Sequence, residues 1–324
     1  NLRILNNLVP SLTELSELVG MKGVKTNIIN QIIFFLQGFN KSEKCNKCID
    51  CTYKLPCAKN LSNDMLHTVI TGPPGVGKTE LGRILGKVYK AMGVLSKGHF
   101  NIVSRSDLIG KYLGHTAAKT QQAINKCKGG VMFIDEAYSL GNSEGRDSFS
   151  KECIDTLNQN LTERRDFLCI IAGYKDQLEK CFFKYNAGLK RRFTFRYDIT
   201  EYSGIELRDI FHLKVQNASW DMEYVVTDKD SPETVMKKHT MEQKIVTFFN
   251  NNMKYFPHFG GDIETLFLEC KIYHSRRVMF LPENNKKVLT YEDITHGFNA
   301  FIANRQYVED AEYKKKKLNA AMIY

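Results

Sequence analysis

Residues 72–79 of this 324-residue chain, Gly72-Pro73-Pro74-Gly75-Val76-Gly77-Lys78-Thr79, carry chemistry by type and by spacing. They form G-x-x-x-x-G-K-T, a phosphate-binding loop. Glycines at 72, 75 and 77 let backbone N–H groups turn inward without a Cβ clash, which makes a cradle for anions. The apolar run 66–71 before the loop reads as a buried strand, and the residues from Glu80 onward read as a helix. A helix N-terminus aimed at the loop adds its positive dipole end. In such a cradle Lys78 reaches the β- and γ-phosphates and the Thr79 hydroxyl holds Mg²⁺. Glu80 completes the predicted nucleotide-binding run.

A second apolar strand, Gly130-Val-Met-Phe-Ile134, ends on Asp135 and Glu136. This is a Walker B pattern. Asp135 is expected to order the Mg²⁺ shell, and Glu136 to take the proton of the attacking water. An acidic pair at a strand end means little alone. Following a phosphate loop at this distance, it predicts nucleotide hydrolysis.

The elements that must position these groups follow from periodicity. Strands are expected near 67–71, 100–104, 130–134, 168–172 and 193–197, and helices at 78–92, 116–127, 148–162 and 175–184. Strands separated by helices predict a five-stranded parallel sheet covered on both faces, an α/β domain. Residues 12–37 read as largely helical, with Gly20 inside the run. After Asp198 the strand pattern largely stops, and 201–217, 240–254, 262–277 and 291–305 read as helices. The expected organisation has three parts. A nucleotide-binding domain spans 1–198 and carries a cysteine-rich insertion at 38–62. A small helical domain follows at 199–305, and a basic tail at 306–324.

Hydrophobic content of 43% and charged content of 25% describe an ordinary water-soluble globular chain. No apolar run reaches the roughly 18 residues a membrane helix needs. The chain shows no secretory signal pattern, which predicts a cytoplasmic location or a viral or other intracellular compartment. It opens on Asn1 rather than Met, which predicts a trimmed start. A net charge of +10 comes from scattered basic residues, apart from Lys314–Lys317, and reads as a solvated lysine-rich surface.

Nine cysteines, an odd number, argue against a disulfide framework. Cys127, Cys153, Cys169, Cys181 and Cys270 stand singly and read as small buried hydrophobes. Cys45, Cys48, Cys51 and Cys57 crowd one short window. Four thiolates at that density match a structural Zn²⁺ site that leaves no open coordination position. An iron–sulfur cluster and four reduced thiols are the other open readings.

Several longer strings carry a family resemblance. They are Val103-Ser-Arg-Ser-Asp-Leu-Ile-Gly-Lys-Tyr112-Leu-Gly-His-Thr116, Ile134-Asp-Glu-Ala-Tyr138-Ser-Leu, Ile171-Ala-Gly-Tyr174 and Asn186-Ala-Gly-Leu-Lys-Arg-Arg192-Phe. Together they resemble AAA+ ATPases of the CbxX/CfqX group, which includes red-type Rubisco activase. The resemblance is close over about 15–215. It implies an AAA+ P-loop NTPase domain followed by a helical lid. It also implies that Leu18-Val19-Gly20-Met21 borders the adenine of ATP. Tyr112 falls at the aromatic of the pore loop, and Arg192, with Arg191 as fallback, at the arginine finger that acts on a neighbouring subunit's ATP. Two positions depart from the wider pattern. Tyr174 stands where many AAA+ proteins have Asn or Thr, and Glu264 of Gly260-Gly-Asp-Ile-Glu264 falls where many have a sensor arginine. Arg276 and Arg277 are the candidates to replace that arginine. The Gly-Asp-Ile-Glu and His274-Ser-Arg-Arg277 variant, with the cysteine insertion, resembles versions in large DNA viruses and protists.

The resemblance implies a Mg-ATP-hydrolysing ring, a homo-hexamer, that remodels or threads a target protein in chaperone-like fashion. Two other readings stay open. One is a nucleic-acid motor or loader, which the basic charge favours and the lack of a dense basic patch with interleaved aromatics disfavours. The other is an ATP-dependent assembly switch.

Overall fold

The computed structural model describes residues 2–37, 66–112, 114–141, 147–164, 166–186, 188–223, 231–280 and 286–305. The chain forms two compact units, Asn1–Thr200 and Glu201–Tyr324.

The first unit is built on five parallel strands: β1 (Thr68–Thr71), β2 (Phe100–Val103), β3 (Val131–Ile134), β4 (Leu168–Gly173) and β5 (Phe195–Asp198). Their order across the sheet is β2-β3-β4-β1-β5. Position explains composition. Every residue of β1, β3 and β4 is buried; β3 and β4 are mostly apolar, and β1 flanks Val69-Ile70 with Thr68 and Thr71. The edge strands β2 and β5 mix buried and exposed positions. Parallel strands need crossovers, and α3 (Lys78–Ala91), α5 (His115–Lys126) and α6 (Ser148–Glu163) supply them. α3 lies close on the sheet because Gly82 faces it. A Cβ there would stand 2.8 Å from the Phe133 ring. Two short helices, α4 (Arg105–Leu108) and α8 (Leu189–Arg192), were not signalled by periodicity because each is a single turn.

Two segments depart from the sequence expectation. The helical run expected over 12–37 is two helices, α1 (Leu2–Glu17) and α2 (Lys22–Gln37). Gly20 and Met21 at φ 67° and 55° turn the chain between them, a left-handed bend that no helix continues through. Residues 175–184 are not one helix either. A short α7 (Lys175–Gln177) passes into a π turn over Leu178–Phe182 and a 3₁₀ turn over Phe183–Tyr185. This irregular path buries the consecutive Phe182 and Phe183 together against Phe193, with ring centroids 5.3–6.2 Å apart.

α2 is tied to the sheet through a buried polar relay. Gln31 donates to the Tyr89 hydroxyl at 2.7 Å and accepts from the Tyr197 hydroxyl at 2.6 Å. All three side chains are buried, so each polar atom needs its partner. Burial pushes both phenols well above their ordinary titration range.

The second unit holds α9 (Gly204–Asn217), α10 (Pro232–Asn252), α11 (Gly260–Arg277) and α12 (291–305). α10 starts earlier than the 240 expected. Ser231 caps it by accepting from the Thr234 N–H, and Pro232 occupies the first turn, where its missing N–H does no harm. An aromatic column of Phe211, Phe249, Phe256 and Phe301 fills the core. The unit is not purely helical. β6 (Asp221–Met222) pairs in parallel with β7 (Val288–Leu289), two residues each and too short to show a period in sequence.

Among the described residues no helix is long and apolar enough to cross a membrane. Of the five single cysteines, four are buried as expected, and Cys181 is only half-buried. Cys45, Cys48, Cys51 and Cys57 lie outside the described residues, as does the 306–324 tail.

Candidate active site

In an open parallel sheet, ligands sit beyond the carboxyl ends of the strands. The loop 72–77 occupies that end of β1, an inner strand between β4 and β5. Its shape requires glycine at three positions, Gly72, Gly75 and Gly77, with φ of 153°, 75° and 85°. At Gly72 space is closed as well, since a Cβ would lie 2.7 Å from the Ile199 carbonyl oxygen. Gly77 is the N-cap of α3, so the first N–H groups of that helix face the loop. Such a ring of donors fits a polyphosphate.

Lys78 stands in this concavity. Its ammonium donates to the carbonyls of Gly72 at 3.0 Å and Pro73 at 2.7 Å, and lies 5.8 Å from the centre of the Tyr174 ring. Burial lowers its pKa, and the carboxylates of Asp135 and Glu136 oppose that shift. The Thr79 hydroxyl donates to Asp135 Oδ2 at 3.4 Å. A hydroxyl and a carboxylate side by side are the hard oxygen donors that Mg²⁺ takes. Glu80, by contrast, is exposed and pairs with Arg83 at 3.6 Å on the outer face of α3.

Glu136 has left-handed backbone geometry, φ 48° and ψ 44°. This is strained for a residue with a side chain and turns the chain off β3 into the 3₁₀ turn Ala137–Leu140. Its N–H donates to Asp135 Oδ1 at 3.0 Å. Burial foremost, and Glu136 next, push the Tyr138 phenol up to about 12. Sequence reasoning passed over Tyr138, which only its place two residues after Glu136 could have signalled.

The bend at 18–21 also reaches the loop. A Cβ on Gly77 would lie 3.4 Å from the Met21 terminal methyl, so Val19 and Gly20 belong to a segment packed beside the phosphate cradle. Lys25 fastens that bend by donating to the Leu18 and Ser16 carbonyls. Burial lowers the pKa of this lysine too.

The remaining predicted residues lie elsewhere. Arg192 ends α8, just before the first residue of β5, and Phe195 sits level with Thr68 at the start of β1. The arginine therefore lies toward the amino end of the sheet, while its own phosphate loop lies at the carboxyl end, a strand of four residues or roughly 13 Å away. It donates to Thr162 Oγ1 at 2.5 Å and to the Gly188 carbonyl at 2.8 Å. Tyr112 is 69% exposed, touched edge-on by the His115 ring at 5.6 Å. Its loop is anchored by the Gly110 N–H on Thr116 Oγ1 and by Lys119 on the Ile109 carbonyl.

In the second unit Glu264 pairs with Lys214 at 3.0 Å. Arg277 is committed to Asp293, at 3.1 Å through Nε and 2.8 Å through Nη2. That partnership argues against Arg277 as a replacement sensor.

Fold and site thus define a P-loop nucleoside triphosphatase. Residues 68–200 match the ATPase family associated with various cellular activities (AAA). A cfxQ-like protein of Acanthamoeba polyphaga mimivirus is 40% identical over 94% of this chain and 67% of its own length. Stage V sporulation protein K of Bacillus subtilis is 35% identical over 68% of this chain and 67% of its own. A chloroplastic ribulose bisphosphate carboxylase/oxygenase activase of Cyanidioschyzon merolae is 40% identical over 52% of this chain and 53% of its own. The chain belongs to the CfxQ/CbxX branch of the AAA ATPases. It is an ATPase, and ATP with Mg²⁺ is the pair that membership implies.

Proposed function

We propose that this chain hydrolyses Mg-ATP as a ring of identical subunits, a hexamer, and uses the cycle to pull on a target polypeptide. The observation that carries the reading is Tyr112, a large aromatic left 69% exposed on a loop whose two ends are fastened. Exposed aromatics of this kind give a sequence-tolerant grip on a passing chain. Among its relatives are a carboxylase activase and a sporulation protein, so the target is expected to be a protein.

The geometry around Lys78, Thr79, Asp135 and Glu136 supports the first of the following roles, and the family resemblance supplies those of Val19, Gly20 and Arg192. The loop N–H groups and Lys78 bind and neutralise the phosphates. Thr79 and Asp135 would hold Mg²⁺, whose charge would draw electron density from the terminal phosphoryl group. Glu136 orients water and accepts its proton, a task suited to a carboxylate that directly follows the Asp135 metal ligand. Val19 and Gly20 face the base of the nucleotide. Arg192, distant from its own loop, serves the ATP of a neighbouring subunit. The cysteine loop, with Zn²⁺ as its expected ligand, is a structural addition to this machine.

The test is steady-state ATP turnover alone, with an unfolded polypeptide, and with single- or double-stranded DNA, each repeated on Tyr112→Ala. Stimulation by polypeptide that Tyr112→Ala abolishes is the expected result. Stimulation by DNA alone would replace this reading with a nucleic-acid motor. No stimulation by either would leave an assembly switch.

A further inference from the structure

Arg105 is absorbed by none of the roles above. It opens α4 directly after β2, and α4 leads into the loop that carries Tyr112. Its Nη1 donates to the Ser139 carbonyl and, at 3.2 Å, to Ser150 Oγ, while Nη2 donates to Asp147 Oδ2 at 2.9 Å. Ser139 lies in the 3₁₀ turn that follows Glu136, and its own N–H donates to the Glu136 carbonyl at 2.8 Å. Asp147 and Ser150 mark the start of α6, where Asp147 Oδ1 caps the helix by accepting from the Phe149 and Ser150 N–H groups at 3.0 and 3.3 Å. One side chain thus ties α4 to the turn behind Glu136 and to the first turn of α6.

Stability does not account for this arrangement. A partly exposed ion pair adds little, and the Arg105 and Asp147 side chains are 40% and 23% exposed. α4 is also held independently by α5. Lys119 donates to the Ser106 and Ile109 carbonyls at 2.6 and 3.0 Å, Thr120 donates to the Leu108 carbonyl at 3.0 Å, and Leu108 is fully buried. With Thr116 accepting from the Gly110 N–H, these bonds make α4 and the base of the Tyr112 loop one body with α5. That body meets the turn behind Glu136 through the Arg105 fork. A planar guanidinium holds its donors in fixed directions, so it passes on a shift of its acceptor rather than absorbing it. The turn starts from the left-handed Glu136, a backbone position kept only by its surroundings and therefore sensitive to what binds beside it.

We infer that Arg105 is a positioning residue that couples nucleotide at the phosphate loop to the Tyr112 loop. Nucleotide beside Asp135 and Glu136 shifts the turn 137–140, Arg105 carries the shift to α4, and α4 moves Tyr112. The inference rests on the reading of Tyr112 as the aromatic that grips a polypeptide. It predicts that cutting the fork leaves nucleotide binding in place and disconnects the loop.

The experiment follows backbone hydrogen exchange in the full chain, with and without a non-hydrolysable ATP analogue and Mg²⁺, in the wild type, Arg105→Met, Arg105→Lys and Asp147→Asn. In the wild type the analogue should change exchange both at 72–79 and at 105–112. Arg105→Met should keep the first response and lose about 5-fold or more of the second, the scale of an ordinary coupling between sites. Arg105→Lys should fall with it, because a single ammonium cannot span Ser139 and Asp147 as the fork does. Asp147→Asn keeps an oxygen for the α6 cap but turns an amide toward Arg105, so it should behave like Arg105→Met with its thermal midpoint held. Polypeptide-stimulated ATP turnover should fall in all three variants while basal turnover persists. An unchanged response at 105–112 in Arg105→Met, or no response there in the wild type, would overturn the link. So would loss of the 72–79 response or of the thermal midpoint in both Arg105→Met and Asp147→Asn, which would make the pair merely structural. A wild type that polypeptide does not stimulate, but whose 105–112 response depends on Arg105, would overturn the pulling reading and uphold the link.

Discussion

Replacing Asp293 by Asn tests the most demanding electrostatic arrangement in the second unit. Asp293 is fully buried in its side chain, against a His274 that is 1% exposed. Four donors converge on its carboxylate. They are Arg277 Nε and Nη2 at 3.1 and 2.8 Å, the Thr290 N–H at 2.9 Å and His274 Nδ1 at 2.8 Å. The other nitrogen of His274 faces the Lys286 carbonyl at 2.8 Å, which only accepts. Burial alone would raise the Asp293 pKa, but the bonds from Arg277, Thr290 and His274 outweigh it and hold the group at about 2. The ordinary value is 3.8. At ~1.4 kcal/mol per pH unit, that depression stabilises the fold by about 2–3 kcal/mol. A depressed carboxylate gives its full stabilisation above its unfolded pKa and loses it as pH falls through the folded value. The effect is therefore present at pH 7 and fades between about pH 4 and 2. Trp220, the single tryptophan of the chain, sits edge-on to His274 at 5.1 Å and reports the site by fluorescence. Urea unfolding followed at Trp220 should find Asp293→Asn less stable by ~2–3 kcal/mol at pH 7, with the gap closing toward pH 2. Equal stability at pH 7, or a gap that does not change with pH, would refute the reasoning.

Four further outcomes follow from the same geometry. Glu136→Gln should bind ATP with near-normal affinity and lose roughly 10²-fold or more in kcat, as removal of a general base does; undiminished turnover would remove Glu136 from that role. Subunits carrying Arg192→Ala and Glu136→Gln should each be inactive alone and regain turnover when mixed, because some interfaces then pair an intact arginine with an intact glutamate; a mixture that stays inactive would refute action in trans. Gly72→Ala should weaken ATP binding by on the order of 10-fold and lower stability by about 1–3 kcal/mol, measured by nucleotide titration and thermal unfolding, since its Cβ would meet the Ile199 carbonyl at 2.7 Å. Gln31→Leu should lower stability by ~2–4 kcal/mol in urea unfolding, because it strands the Tyr89 and Tyr197 hydroxyls in the core; a neutral result would mean that water replaces the amide.

What the sequence made legible was local. The phosphate loop and the apolar strand ending in Asp135-Glu136 are contiguous strings, and the turn or burial each demands is written in neighbouring residues. The inner strands could be found because β1, β3 and β4 are buried end to end, β3 and β4 are mostly apolar, and β1 carries Val69-Ile70 at its centre. What could not be read was pairing across distance. Arg277 looked available for a phosphate because its partner Asp293 lies sixteen residues on, beyond a two-residue strand that has no period. Glu264 likewise meets Lys214 from another helix, fifty residues away.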